Sequence, residues 1–180
     1  MAIVQLRQKR SDNRSSGLAT VEHNLAKRED IRNKIYNIDT SRNGFDFYFS
    51  TVGDGTSFAS FLARICPIRT KCTRKLVSSD NHSNSANVKH TFVCDMVPLC
   101  RDDLIISNKK QKGQGVGKLR GRLALVTRAK SCVHFIDADP KGTTDVDISE
   151  LSPDNYWKAE KDIVVLKTSK DLVKFIVMDC

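Results

Sequence analysis

The sequence predicts an α+β, β-rich fold: a single sheet-based domain, with a β-sandwich as one arrangement of its strands, an amphipathic N-terminal helix and a short second helix. Three observations lead there. Seven segments rich in β-branched and aromatic residues are bounded by turn-forming residues. One stretch, Leu18 to Ile38, repeats its apolar residues at helical spacing, and a second, shorter helical run stops at Pro67. A chain of 180 residues is long enough for one core of ordinary size and short for two. The expected organisation is therefore a disordered basic arm over residues 1–17 and one β-rich domain over residues 18–180.

The arm is assigned on composition. Arg7, Lys9, Arg10 and Arg14 stand among Ser, Gln, Asn and Asp, with almost nothing apolar after Leu6. The first helix follows from Leu18, Val21, Leu25, Ile31, Ile35 and Ile38, with charges of both signs between them. Ser41 to Gly44 supplies a turn, and Phe45 to Thr51 reads as a strand with Phe45, Phe47 and Phe49 on one side. These three rings suit a core, with a base-stacking platform as the alternative. Gly53-Asp54-Gly55 reads as a glycine turn, and Ser57 to Cys66 as the short helix, capped by Ser57 or Thr56. Arg69, Lys71, Arg74 and Lys75 then form a basic edge beside a long exposed loop over Ser78 to Asn87. The remaining strands are Val88 to Val97, Leu104 to Ser107, Arg122 to Thr127, Cys132 to Ile136, Ile163 to Lys167 and Leu172 to Met178.

Composition narrows the function. The chain is 39% hydrophobic and 28% charged, which excludes wholly disordered, collagen-like and coiled-coil classes. No window approaches a membrane span, and neither a secretory signal nor a lipidation motif is present in the sequence. The six cysteines read as free thiols of a reducing intracellular compartment. The Cys-x5-Cys spacing of Cys66/Cys72 and Cys94/Cys100, near His82 and His90, is wider than the ligand spacing of structural zinc, so no metal is expected. The formal net charge is +9. A field of that sign on a small chain attracts polyanions, namely RNA or another nucleic acid, or an anionic membrane surface.

The most distinctive segment is Asn108 to Arg122, NKKQKGQGVGKLRGR, which has no carboxylate. Its glycines let backbone N–H groups approach a phosphate, and Lys109, Lys110, Lys112, Lys118, Arg120 and Arg122 supply charge. With Arg7, Lys9, Arg10 and Arg14 these are the expected polyanion-binding residues. The run LIISNKKQKGQGVGK, followed by Phe135-Ile136-Asp137-Ala138-Asp139-Pro140, resembles the deviant P-loop and aspartate-proline strand of ParA-type partition ATPases over roughly forty residues. The resemblance implies a nucleotide-phosphate role for Lys118 and a metal-side role for Asp137. Leu119, however, stands where that family has a hydroxyl, Gln114 lengthens the loop, and Lys112 replaces the first glycine.

No HExxH, nucleophile elbow, CxxC or triad order occurs, so the expectation is a non-enzymatic protein with no catalytic residue, cofactor or small-molecule substrate. Asp137, Asp139, Asp145, Asp147 and Glu150 read as a solvated acidic loop. The alternation of basic and acidic stretches suggests a homo-oligomer assembled head to tail. Basic arm, β-rich body and glycine loop together match the style of small viral structural proteins. The expectation is an RNA-binding matrix or nucleocapsid-associated protein of the virion or host cytoplasm. Alternatives are a viral movement or silencing-suppressor protein and a degenerate P-loop NTPase.

Overall fold

The computed structural model describes residues 1–10, 16–80, 85–107, 123–137, 148–173 and 175. It is α+β and strand-rich, as the sequence predicts, with two five-stranded sheets. The chain divides into two compact units, Met1–Pro98 and Leu99–Cys180, where one domain was expected.

In the first unit the elements run β1 (Ala2–Gln8), α1 (Ser16–Ala26), α2 (Glu29–Arg32), β2 (Asn37–Ser41), β3 (Gly44–Phe49), α3 (Val52–Ile65), β4 (Ile68–Asp80) and β5 (Ser85–Met96). The sheet order is β2-β3-β1-β5-β4. Among the described residues only β1 and β5 pair in parallel, with Val4 beside Phe92 and Leu6 beside Cys94. The residues assigned to a disordered arm thus include the central strand. Ala2, Val4 and Leu6 are fully buried, and period 2 sends Gln5 and Arg7 to the opposite face. That face tolerates Arg7 because its guanidinium pairs with the Asp46 carboxylate on β3 and donates to the carbonyls of Leu6 and Phe45.

The expected long helix is two short ones. Its periodicity runs on through Ile35 and Ile38, but Ile38 lies on β2 opposite Phe47. The second helix starts earlier than predicted. Thr51 caps it: the Asp54 N–H donates to Thr51 Oγ1 at 3.1 Å, and the Thr51 hydroxyl donates to the Asp54 carboxylate at 2.6 Å. The supposed glycine turn is its first turn. Gly55 is buried there because a Cβ would come within 2.9 Å of Ala2 Cβ, so a small residue lets α3 close on the sheet.

The core lies between α1, α3 and one sheet face. Phe58 of α3 is 1% exposed and meets the rings of Phe47 and Phe49 at 4.7 and 5.1 Å. The aromatic alternation of β3 is therefore core, not a stacking platform. Gly44 opens β3 at φ +152°, and any Cβ there would run into the carbonyl of Leu6 on β1. Gly44→Ala is expected to destabilise this unit by roughly 2–3 kcal/mol, read as a lower urea midpoint with unchanged slope.

The second unit is an antiparallel sheet of β6 (Leu104–Ser107), β7 (Leu123–Ala129), β8 (Val133–Asp137), β9 (Ile148–Leu151) and β10 (Ile163–Lys167), in the order β10-β6-β7-β8-β9. Helix α4 (Pro153–Lys158) begins with Pro153 and is capped by Ser152, whose Oγ accepts from the Asn155 N–H at 3.3 Å. The fully buried Asp103 accepts the Cys100 N–H at 2.7 Å, and its backbone carbonyl accepts from Val126. Four predicted strands are present here. The predicted strand over Leu172 to Met178 lies mostly outside the described residues.

Candidate nucleic-acid interface

The sheet of the first unit has a helix-covered face and a polar face. On the polar face, β2 and β3 present Asp39 opposite Asp46. Asp39 accepts a hydrogen bond from the Tyr48 hydroxyl, which pushes that phenol's pKa up. Asp46 also accepts from Gln5 at 3.2 Å, and Arg69 on β4 lies 3.5 Å from Asp95 on β5. Asp46 and Arg69 thus face opposite charges, in Arg7 and Asp95, while Asp39 is satisfied by neutral donors.

Further along β4 the counterparts stop. Lys71 stands opposite Val93, Arg74 opposite His90 and Lys75 opposite Lys89. None of these four cations has an ion pair among the described residues, and Lys71, Arg74 and Lys75 are exposed. Lys71 and Lys75 are four residues apart on one strand, so their side chains share a face about 13 Å apart along it. Directly opposed like charges such as Lys75 and Lys89 destabilise a strand pair, and an anion bound between them removes that cost. Lys71, Lys75 and Lys89 lie on the same face as Asp39 and Asp46, which is therefore polarised from carboxylates on β2 and β3 to bare cations on β4 and β5, whereas Arg74 projects from the opposite, Ile68 face of β4.

The basic edge over Arg69 to Lys75 is part of β4, and where a long loop over Ser78 to Asn87 was expected, Ser78–Asp80 and Ser85–Asn87 are strand. The run of cations masked β4: Ile68 packs inward while Arg69 and Lys71 project outward. Of the polyanion-binding residues predicted from sequence, Arg7 is committed to Asp46, Lys9 is exposed and Arg10 donates to the Pro98 carbonyl at 3.0 Å. Arg14, Lys109, Lys110, Lys112, Lys118, Arg120 and Arg122 lie outside the described residues. So do Asp139, Asp145 and Asp147 of the acidic run, while Glu150 pairs with His134 at 3.3 Å.

Among the described residues no group of three or more His, Cys, Asp or Glu side chains is placed to hold a metal. Cys66 and Cys94 are core residues, and burial pushes their thiols up to about 12 and about 11 from an ordinary 9.0. Below pH 9 both are protonated in the folded and the unfolded chain. Above it the unfolded thiols ionise while the buried ones stay protonated, so stability is expected to fall between pH 9 and about 12. Iodoacetamide near pH 8 is expected to modify the exposed Cys72 first and to reach Cys66 and Cys94 only on unfolding, a sequence that peptide mass mapping reads directly.

Among the described residues no helix is long and apolar enough to cross a membrane. The ParA-type P-loop expectation fails on topology. Its βα unit needs a helix after the loop and a parallel neighbouring strand, whereas Leu123–Ala129 is a strand antiparallel to both β6 and β8.

Comparison with known proteins gives a consistent family. The model for the second domain of NMD3 matches residues 1–96, nearly all of the first unit. The 60S ribosomal export protein NMD3 of Dictyostelium discoideum is 33% identical over 178 residues, covering 99% of this chain and 31% of that protein. The namesake from Chaetomium thermophilum is also 33% identical, over 99% of this chain and 32% of its own length. That from Xenopus laevis is 29% identical over 99% of this chain and 33% of its own length. The chain spans about a third of the length of these curated relatives. These matches overturn the expectation of a viral matrix, nucleocapsid-associated, movement or silencing-suppressor protein, and the P-loop NTPase alternative with it. The basic, β-rich character that suggested a virion belongs here to a family named for ribosome export.

Proposed function

Because the chain belongs to the NMD3 family, we propose that it is an RNA-contacting portion of a 60S ribosomal export factor, working inside the cell alongside the subunit and binding without a chemical step. The observation that carries the reading is the run of uncompensated cations Lys71, Arg74, Lys75 and Lys89 on the β4–β5 hairpin. A large ribosomal subunit presents dense RNA phosphate, and exposed lysines without carboxylate partners bind phosphate by displacing condensed counterions. The net charge of +9 supplies the long-range attraction. By their charge alone, Lys9, Arg14, Lys109, Lys110, Lys112, Lys118, Arg120 and Arg122 are proposed as further phosphate-contacting residues.

The test is a titration of fluorescently labelled large-subunit RNA at salt concentrations from about 50 to 200 mM, beside anionic phospholipid vesicles under the same conditions. The expected result is RNA binding whose affinity falls steeply with salt, with a log–log slope of about −3 or steeper, and weaker vesicle binding. Undetectable RNA binding, a flat salt response, or vesicle binding tighter than RNA binding contradicts the proposal.

A further inference from the structure

The β4–β5 hairpin is longer than the sheet that carries it. β1 ends its pairing with β5 at Ala2 beside His90, whereas β4 and β5 continue through Lys75↔Lys89, Leu76↔Val88, Ser78↔Asn87, Ser79↔Ala86 and Asp80↔Ser85. The five further pairs make a two-stranded arm about 17 Å long with both edges unpaired among the described residues. Such a ribbon is marginal alone in water. It nevertheless exposes Leu76 and Val77, at 58% and 59%. Val77 is the extra residue of a register shift between Leu76 and Ser78. A bulge of this kind strengthens the right-handed twist of a ribbon. Beyond it the described side chains are short: Ser78, Ser79, Ala86 and Asn87.

These features fit one kind of surface. An A-form RNA helix has a major groove too deep and narrow for side chains and a wide, shallow minor groove lined by 2′-hydroxyls. A slim, twisted ribbon fits that groove. Its Ser and Asn groups match ribose hydroxyls, its apolar pair packs on sugar faces, and the cations at its base reach the flanking phosphates. The minor groove of B-DNA, at roughly 6 Å, is too narrow for two strands. Resting on the RNA-contacting reading above, we infer that the paired segments Lys75–Asp80 and Ser85–Lys89 dock in the minor groove of double-helical RNA, so that the preferred ligand is an RNA duplex.

The test compares four labelled ligands of one sequence, about 16 base pairs or nucleotides long: an RNA duplex, its 2′-O-methyl counterpart, a DNA duplex and single-stranded RNA. The 2′-O-methyl duplex keeps A-form geometry and phosphate charge but blocks the hydroxyl donors and fills the groove. The intact chain is expected to bind the RNA duplex at least about tenfold more tightly than each of the other three. Leu76→Ser combined with Val77→Ser, outside the core, is expected to bring the four affinities together without changing thermal stability. Equal affinities for the intact chain, or a preference for the single strand, overturn the groove-docking inference and leave general RNA binding standing. Failure to bind any of the four, or tight association with an extended peptide in place of RNA, overturns both.

Discussion

Replacing Lys71, Lys75 and Lys89 together with alanine is expected to weaken RNA binding by roughly one to two orders of magnitude near physiological salt and to flatten the log–log salt slope by about 2–3. The magnitude follows from counterion release, in which each phosphate contact contributes a little under one to the slope. The fold should not suffer. The three side chains make no ion pair among the described residues, and removing the directly opposed Lys75 and Lys89 relieves a repulsion. Thermal stability is therefore expected to hold or to rise slightly. Asp39→Asn, on the carboxylate side of the same face, supplies the contrast. It removes one negative charge without touching the ribbon, and RNA affinity should change little or increase. A triple variant that binds as the parent does, with the same slope, would place the RNA contact elsewhere.

Phe58→Ala is expected to cost about 4 kcal/mol, the largest single-residue effect on stability in the first unit. The ring is 1% exposed and lies within 4.7 to 6.0 Å, centroid to centroid, of Phe47, Phe49 and Phe61. Removing it leaves a void between α3 and the sheet that rigid β1 and β3 cannot close. For a unit of this size the unfolding midpoint should drop by about 15–25 °C. RNA binding should persist below the new midpoint, because the hairpin cations are remote from the cavity, and vanish above it. Denaturation monitored by tryptophan fluorescence reports on the other unit, since Trp157 lies there, so circular dichroism is the suitable probe. A loss of under 1 kcal/mol would mean that the aromatic cluster does not hold the helix to the sheet.

The strands with strict alternation or a continuous apolar run were legible in the sequence, because burial on one or both faces leaves a mark at period 2 or as a hydrophobic block. β1 was not. Its polar members, Gln5, Arg7 and Gln8, look like the start of a solvated arm, and the compensation of Arg7 by Asp46 spans 39 positions of sequence. β4 was hidden for a related reason. An edge strand turned toward solvent can carry lysine and arginine at every outward position, and such a run has the composition of a loop. The start of α3 was misplaced because glycine at Gly53 and Gly55 signals a turn, while here Thr51 caps the helix and close approach to Ala2 requires the second glycine. Of the candidate site, the basic residues of β4 were visible as a patch. Their lack of counter-charge was not, because pairing depends on strand register. The cross-strand meeting of Lys75 with Lys89 likewise exists only once β4 and β5 are in register. The family assignment was also beyond composition, which describes a charge and a class of fold but not a lineage.

The most direct measurement is ultraviolet cross-linking of the chain to large-subunit RNA at about 0.15 M salt, with the attached peptides identified by mass spectrometry. The account predicts cross-links concentrated on residues 68–80 and 85–96, lost when Lys71, Lys75 and Lys89 are alanine. Cross-links confined to α1, α2 and the β2–β3 side, with the β4–β5 hairpin unmodified, would contradict it.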